Sequence, residues 1–267
     1  MTMQPLAMQQ PVPLAGRVAI VTGVSRRIGI GFAIASRLAQ LGAELFLHAW
    51  APFDAAQRWG ADPDGVAALS RDLRRYGGHV EVLEADFRDA EAPASVVAAA
   101  VATYHYVDIL VANHAYSAPG ALEDLSAEHI DRHLEANVRG TLLLVQAFAA
   151  QHDHTRPGGR VILMTSGQHR VPMPGELAYA ASKGALHQLT RSLAVHLAPR
   201  RITVNTIDPG ATDTGYAAPD VFAHVLADEP QGRWGVPDDA ARLIAWLASD
   251  DAQWVTGQVI SSTGGGP

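Results

Sequence analysis

Seven short apolar runs recur along the chain, each closing on small or polar residues: RVAIVTG (17–23), ELFLHAW (44–50), HVEVLEAD (79–86), VDILVANHA (107–115), RVILMTSG (160–167), RITVNTIDPG (201–210) and QVISSTG (258–264). Runs of this length, bounded by turn residues, predict buried strands. Between them lie stretches with apolar positions at helical spacing, such as GFAIASRLAQLGA (31–43) and AYAASKGALHQLTRSLAVHLA (178–198). Strands that alternate with helices imply right-handed crossovers and a parallel sheet covered on both faces. The predicted fold is α/β, a doubly wound parallel sheet of about seven strands in one domain.

Composition is compatible with that picture. Of 267 residues, 48% are hydrophobic and 18% charged, with 24 Gly and 16 Pro, a balance that suits one globular core rather than a disordered or fibrous chain. A formal charge of −7 gives nucleic acid or an anionic membrane no bulk electrostatic support as a partner. The sequence contains no cysteine, which removes disulfides, thiolate metal sites and cysteine nucleophiles together. Residues 1–15, MTMQPLAMQQPVPLA, carry neither a basic region nor a long apolar run. They are expected to be a flexible tail rather than a secretory signal, with residues 16–267 as the single domain of a cytoplasmic protein. No apolar stretch approaches the ~20 residues of a membrane span.

Chemistry is expected beyond the carboxyl ends of the strands, where open α/β sheets bind ligands. After the first run, TGVSRRIGIGFAIA (22–35) places glycines 23, 29 and 31 in a strand-to-helix turn. A dinucleotide site needs glycine there, so that the backbone turns sharply and presents helix-terminal amides to a pyrophosphate. The spacing is not G-x-G-x-x-G, and on its own the loop reads either as a cofactor site or as an unliganded turn. Tyr179 and Lys183 are four apart in a helical pattern, which puts phenol and ammonium on one face. A phenol with an ordinary pKa near ~10 needs such a cation to stabilise its phenolate.

Taken in order, TG…GIG, Asn137 in NVRG, Ser166 and YAASK (179–183) resemble the short-chain dehydrogenase/reductase family over about residues 14–266. The glycine loop is two residues longer than that family's usual TGxxxGxG, and is similar to loops of members resembling 3-oxoacyl-acyl carrier protein reductases. The resemblance implies a Rossmann-type fold with Tyr179 as general acid/base and Lys183 tuning it while holding the nicotinamide ribose. It implies that Ser166 orients the substrate carbonyl and that Asn137 holds a water leading from Lys183 to solvent.

For the cofactor, the resemblance implies Gly23, Ser25, Gly29, Ile30 and Gly31 around the pyrophosphate, and Asp86 with Phe87 at the adenine. Asn113, His114 and Ala115 stand where the family reads NNAG and this chain reads ANHA. Pro209, Gly210, Thr212 and Thr214, in PGATDT, belong to the segment that closes on the nicotinamide. At the end of the second strand, where NAD sites of this fold commonly carry an acid, stands Ala49. NADP(H) is therefore expected over NAD(H), with Arg26 as first partner of the 2′-phosphate and Arg27, His48 and Trp50 as neighbours. No metal is expected, since His114 has no clustered partner in sequence.

For the substrate, candidates beside Ser166 are His169 and Met173, with Tyr216 and Phe222 forming either an apolar wall or helix core. The expected activity is NADP-dependent reduction of a ketone or 3-oxoacyl-like carbonyl. The alternatives are an alcohol or sugar dehydrogenase working oxidatively, and a non-catalytic NADP-binding sensor or scaffold. A small-molecule substrate and a homotetramer, or else a dimer, complete the expectation.

Overall fold

All seven runs become strands of one parallel sheet: β1 (Val18–Val21), β2 (Glu44–Ala49), β3 (Val80–Glu84), β4 (Ile109–Ala112), β5 (Arg160–Met164), β6 (Thr203–Asp208) and β7 (Val259–Ser261). The computed structural model describes residues 12–153 and 155–266. Strand order is β3-β2-β1-β4-β5-β6-β7. Residues 1–11 of the expected tail lie outside the described residues, whereas Leu14 is fully buried and its N–H donates to Leu41 O at 2.9 Å.

The period of two along each strand splits the core between the two faces of the sheet. Ala19 and Val21 of β1, with Ile109 and Val111 of β4, pack with Ile34 and Leu38 of α1 (Ile30–Gln40) and Ile244 of α9 (Pro237–Ala248). Val18, Ile20, Leu110 and Ala112 face the opposite way, against Val96 and Val97 of α4 (Ala92–Tyr104) and Leu144 and Phe148 of α6 (Gly140–Gln151). Each such side chain stabilises the fold by roughly 1.5–3 kcal/mol through the water it leaves. The uninterrupted apolar runs are the sequence signature of this two-sided burial.

The remaining helices are α2 (Ala51–Ala55), α3 (Val66–Arg74), α5 (Ala127–His133), α7 (Leu177–Leu197) and α8 (Pro219–Asp228). Of these, α3 adds Leu73 to the first of the two clusters and α7 adds Ala194 and Leu197 to the second. Between α5 and α6 the chain is wound as a π-helix over Leu134–Arg139. Such local unwinding often marks a functional position, because it redirects a side chain without ending the helix. The sheet reverses its order at β1, which pairs with β2 on one side and β4 on the other. A doubly wound sheet opens its ligand crevice at that reversal. Among the described residues, no helix is long and apolar enough to cross a membrane.

Candidate active site

A cleft of about 750 Å³ opens at the carboxyl ends of β1 to β5, its wall including Gly23, His48, Asp86, Asn113 and Ser166. At its centre the backbone is packed too closely for side chains. Gly23 has φ +71°, and a Cβ there would lie 2.9 Å from both Asn113 Nδ2 and His114 Cα. A Cβ on Gly31 would lie 2.4 Å from Gly23 O. Gly29 precedes α1 and supplies no side-chain cap, and Gly29, Ile30 and Gly31 all line the cleft. An uncapped helix start at the mouth of a cleft is suited to an anion, because its amides and dipole are already directed there. This cradle fits the pyrophosphate of a nicotinamide dinucleotide.

Toward the adenosine end, Phe87 stacks on His48 with ring centroids 3.9 Å apart. His48 Nε2 donates to Ala85 O at 2.8 Å, and Nδ1 accepts from the Gly23 N–H at 3.4 Å. Burial pushes His48 down to about 4, so it lines the cleft as a neutral ring and adds no cation for a phosphate. Asp86 is held by Arg88, whose Nη2 approaches to 2.5 Å.

The two expected arginines separate. Arg26 lines the cleft, its Nε 3.1 Å from Asp54 and its guanidinium 5.5 Å above the Trp59 ring, while Nη1 donates to Thr214 O at 3.1 Å. Arg27 is bound instead to Asp62 at 2.6 Å and to Asp64 and Asp72 at 2.8 Å, and does not line the cleft. Asp54 also accepts from the Ser25 hydroxyl and, at 2.9 Å, from Trp59 Nε1. An acid therefore reaches the cofactor end from α2 although Ala49 stands at the strand end. Nothing in the hydrophobic pattern signals that the segment after β2 folds back over the cleft, and Asp54 and Trp59 are invisible in the sequence for that reason.

His114 brings bulk where the resembled motif has alanine. Its ring is buried edge-on to Phe87 at 4.5 Å, with Nδ1 2.8 Å from Thr22 Oγ1 and Nε2 3.2 Å from Ala136 O. Burial, reinforced by His48 and Lys183, keeps it well below its ordinary value and neutral. The ring ties the end of β1 to the π-helical segment.

At the other end of the cleft stand Ser166 and Tyr179. Lys183 Nζ lies behind them, 5.7 Å from the Tyr179 ring centroid and donating to Met164 O at 3.0 Å. The sequence predicts a phenol pulled down by this ammonium. The structure pushes it up instead, because burial outweighs the hydrogen bond with Ser166. Tyr179 is thus a held proton at neutral pH. Burial also lowers Lys183, to about 8.

Asn137 sits buried in the π-helical segment. Its Oδ1 accepts from the Tyr116 N–H at 2.7 Å, and its Nδ2 donates to Tyr116 O and Ser182 Oγ, each at 2.9 Å. It therefore pins the helix turn carrying Lys183 to the loop after β4. Trp50, Ala115, Met173, Thr214 and Tyr216 line the cleft, whereas Pro209, Gly210 and Thr212 do not. Nor do His169, which packs on His187 at 4.8 Å, and Phe222, which stacks on Trp234 at 4.7 Å. Tyr116 and Glu176 join the lining unforeseen, although a carboxylate one helical turn before Tyr179 is a signal the sequence does contain.

Residues 23–266 match the family model described as enoyl-(acyl carrier protein) reductase. The chain belongs to the short-chain dehydrogenase/reductase family. An uncharacterized oxidoreductase of Bacillus subtilis (strain 168), YjdA, is 39% identical over 250 residues, 93% of this chain and 96% of that protein. A blue fluorescent protein from a metagenomic library, solved in complex with NADPH, superposes with a TM-score of 0.85 at 32% identity, covering 95% of this chain and 98% of its own. The promiscuous reductase LugOII, which catalyses keto-reduction at C1 during lugdunomycin biosynthesis, gives 0.82 at 34% identity over 95% and 98% of the two chains. This short-chain dehydrogenase/reductase is an oxidoreductase with a nicotinamide cofactor site.

The buried ammonium has a measurable cost. Moving Lys183 from its ordinary 10.5 to about 8 corresponds to about 3 kcal/mol of destabilisation. Because the unfolded chain holds this proton more tightly, the cost is full below pH 8 and fades as pH rises toward 10.5. Lys183→Met is expected to be more stable relative to wild type at pH 7 than at pH 9.5 in urea titrations. An unchanged difference between the two pH values would contradict this account of the ammonium.

Proposed function

We propose that the protein is an NADP(H)-preferring reductase of a ketone or 3-oxoacyl-like carbonyl, with Tyr179 as general acid. The observation that carries this reading is the placement of the half-buried Tyr179 phenol beside Ser166 at one end of a cleft whose other end fits a dinucleotide. The cofactor, when bound, supplies the hydride. The Ser166 hydroxyl orients the carbonyl oxygen, and Tyr179 gives that oxygen its proton as negative charge develops there. The phenolate left behind is stabilised by the Lys183 ammonium. Asn137, bonded to Ser182, fixes the turn beside which a water would return the proton.

The NADPH bound by the metagenomic neighbour and the keto-reduction of LugOII support both halves of the reading. Arg26 in the cleft supports the preference for a 2′-phosphate, and Asp54 sets how freely that guanidinium can turn to it. Association into a homotetramer is supported by apolar side chains left open to solvent, among them Val195 on α7 and Trp254, which is 95% exposed.

Tyr179→Phe is expected to lower kcat for ketone reduction by about 10²–10⁴ while leaving the NADPH Kd within about twofold. Full turnover in this variant would remove Tyr179 from the chemistry. Arg26→Ala is expected to weaken NADPH about 10–100-fold and NADH little, as read from initial rates with each cofactor. A wild-type preference for NADH would overturn the cofactor assignment. Sedimentation velocity is expected to show a tetramer, and a monomer at micromolar concentration would refute the assembly.

A further inference from the structure

Glu176 immediately precedes α7, yet its side chain makes no capping bond to that helix. Its backbone is fixed on both sides. The N–H donates to Met173 O at 3.1 Å, and the carbonyl accepts from Ala180 N at 2.8 Å. The neighbouring Gly175 O and Leu177 N bond to Gly120 at 2.7 and 3.1 Å. The side chain lines the cleft with Ser166, Met173, Tyr179 and Tyr216. Burial pushes its carboxyl up, and the phenols of Tyr179 and Tyr216, raised chiefly by their own burial, are raised further by its charge. The carboxyl is therefore within electrostatic reach of the reacting group.

The other acids of this cleft are occupied: Asp54 by Ser25, Arg26 and Trp59, and Asp86 by Arg88. Among the described residues, Glu176 has neither a cation nor a donor to offset its loss of water. A half-buried carboxylate without a donor carries a desolvation cost that an incoming donor relieves.

We propose that Glu176 is the specificity-determining group at the substrate end of the cleft, accepting a hydrogen bond from a hydroxyl that the ketone carries away from its reacting carbonyl. The substrate class deepens the reductase reading and rests on it. Tyr216, whose phenol feels the Glu176 charge, and Met173, whose carbonyl accepts from the Glu176 N–H, supply flat and adaptable apolar surface at this end of the cleft, which suits an aromatic or otherwise planar body. The preferred substrates are therefore hydroxylated aromatic ketones. An analogue without the hydroxyl leaves the carboxylate desolvated and unpaired, and a site of this kind rejects such an analogue strongly.

The test uses α-tetralone, its ring-hydroxylated isomers and their methyl ethers with the full-length protein. Turnover is measured with NADPH, and binding by calorimetry in the presence of NADP⁺. At least one hydroxylated isomer is expected to exceed its methyl ether about 10–100-fold in kcat/KM, mainly through KM, and to exceed it in Kd. In Glu176→Met that ratio is expected to fall to within about threefold, and Glu176→Asp is expected to restore part of it. Because the ratio is internal to each variant, a general loss of activity or folded protein cancels. A ratio near one in the wild type, or a high ratio that survives in Glu176→Met, overturns the assignment. Calorimetric preference for the hydroxyl with no turnover of any ketone would support the role of Glu176 while sinking the reductase reading.

Discussion

In the crevice between β1 and β4, the Asn113 carboxamide donates to the carbonyls of Thr22 and Gly23 at 3.0 and 3.3 Å. Its nitrogen is wedged against Gly23 and Gly31, where added Cβ atoms would come within 2.9 and 2.8 Å. The position of the glycine loop, the direction of the α1 amides and the depth of the cleft all follow from this contact. The Thr22 hydroxyl completes it by accepting from the N–H groups of Asn113 and His114 at 3.0 and 3.1 Å. Two strands distant in sequence thus end in a shared hydrogen-bonded unit, and that unit holds the dinucleotide end of the cleft in place.

The catalytic end is organised by burial. Taking phenol and ammonium out of water raises one and lowers the other, which drives their proton affinities apart and leaves the proton firmly on the phenol. The arrangement is costly to the fold, and the surrounding contacts keep it in place: Met164 O receives the ammonium, while Asn137 locks the adjacent turn through Ser182. Stability given up at one point in exchange for function is the usual condition of an active site.

The sheet was legible because the central strands β1, β4 and β5, buried on both faces, read as almost unbroken apolar runs, and every run, including the more polar ones at the edges, did become a strand. Tyr179 and Lys183 were legible as a pair from helical spacing, and Ser166 joined them through the resemblance to a known family. Contacts between segments that pattern does not relate were not legible. Arg26 and Arg27 are adjacent in sequence, yet one enters the cleft and the other is drawn to Asp62, Asp64 and Asp72. Asp54 depends on a short helix folding back over a strand end, and Phe222 on Trp234 being available to stack against it. The π-helical winding that presents Asn137 has no signature in the hydrophobic period either.

His48, Phe87 and His114 form a contiguous aromatic floor under the cofactor end of the cleft. Both imidazoles have hydrogen-bond partners suited to their neutral form, and His48 would gain a proton only near pH 4. The floor is therefore titration-silent throughout the range in which the protein would be assayed. Ionisations seen in a kinetic pH profile belong to groups other than these two histidines, Lys183 and Glu176 among the candidates.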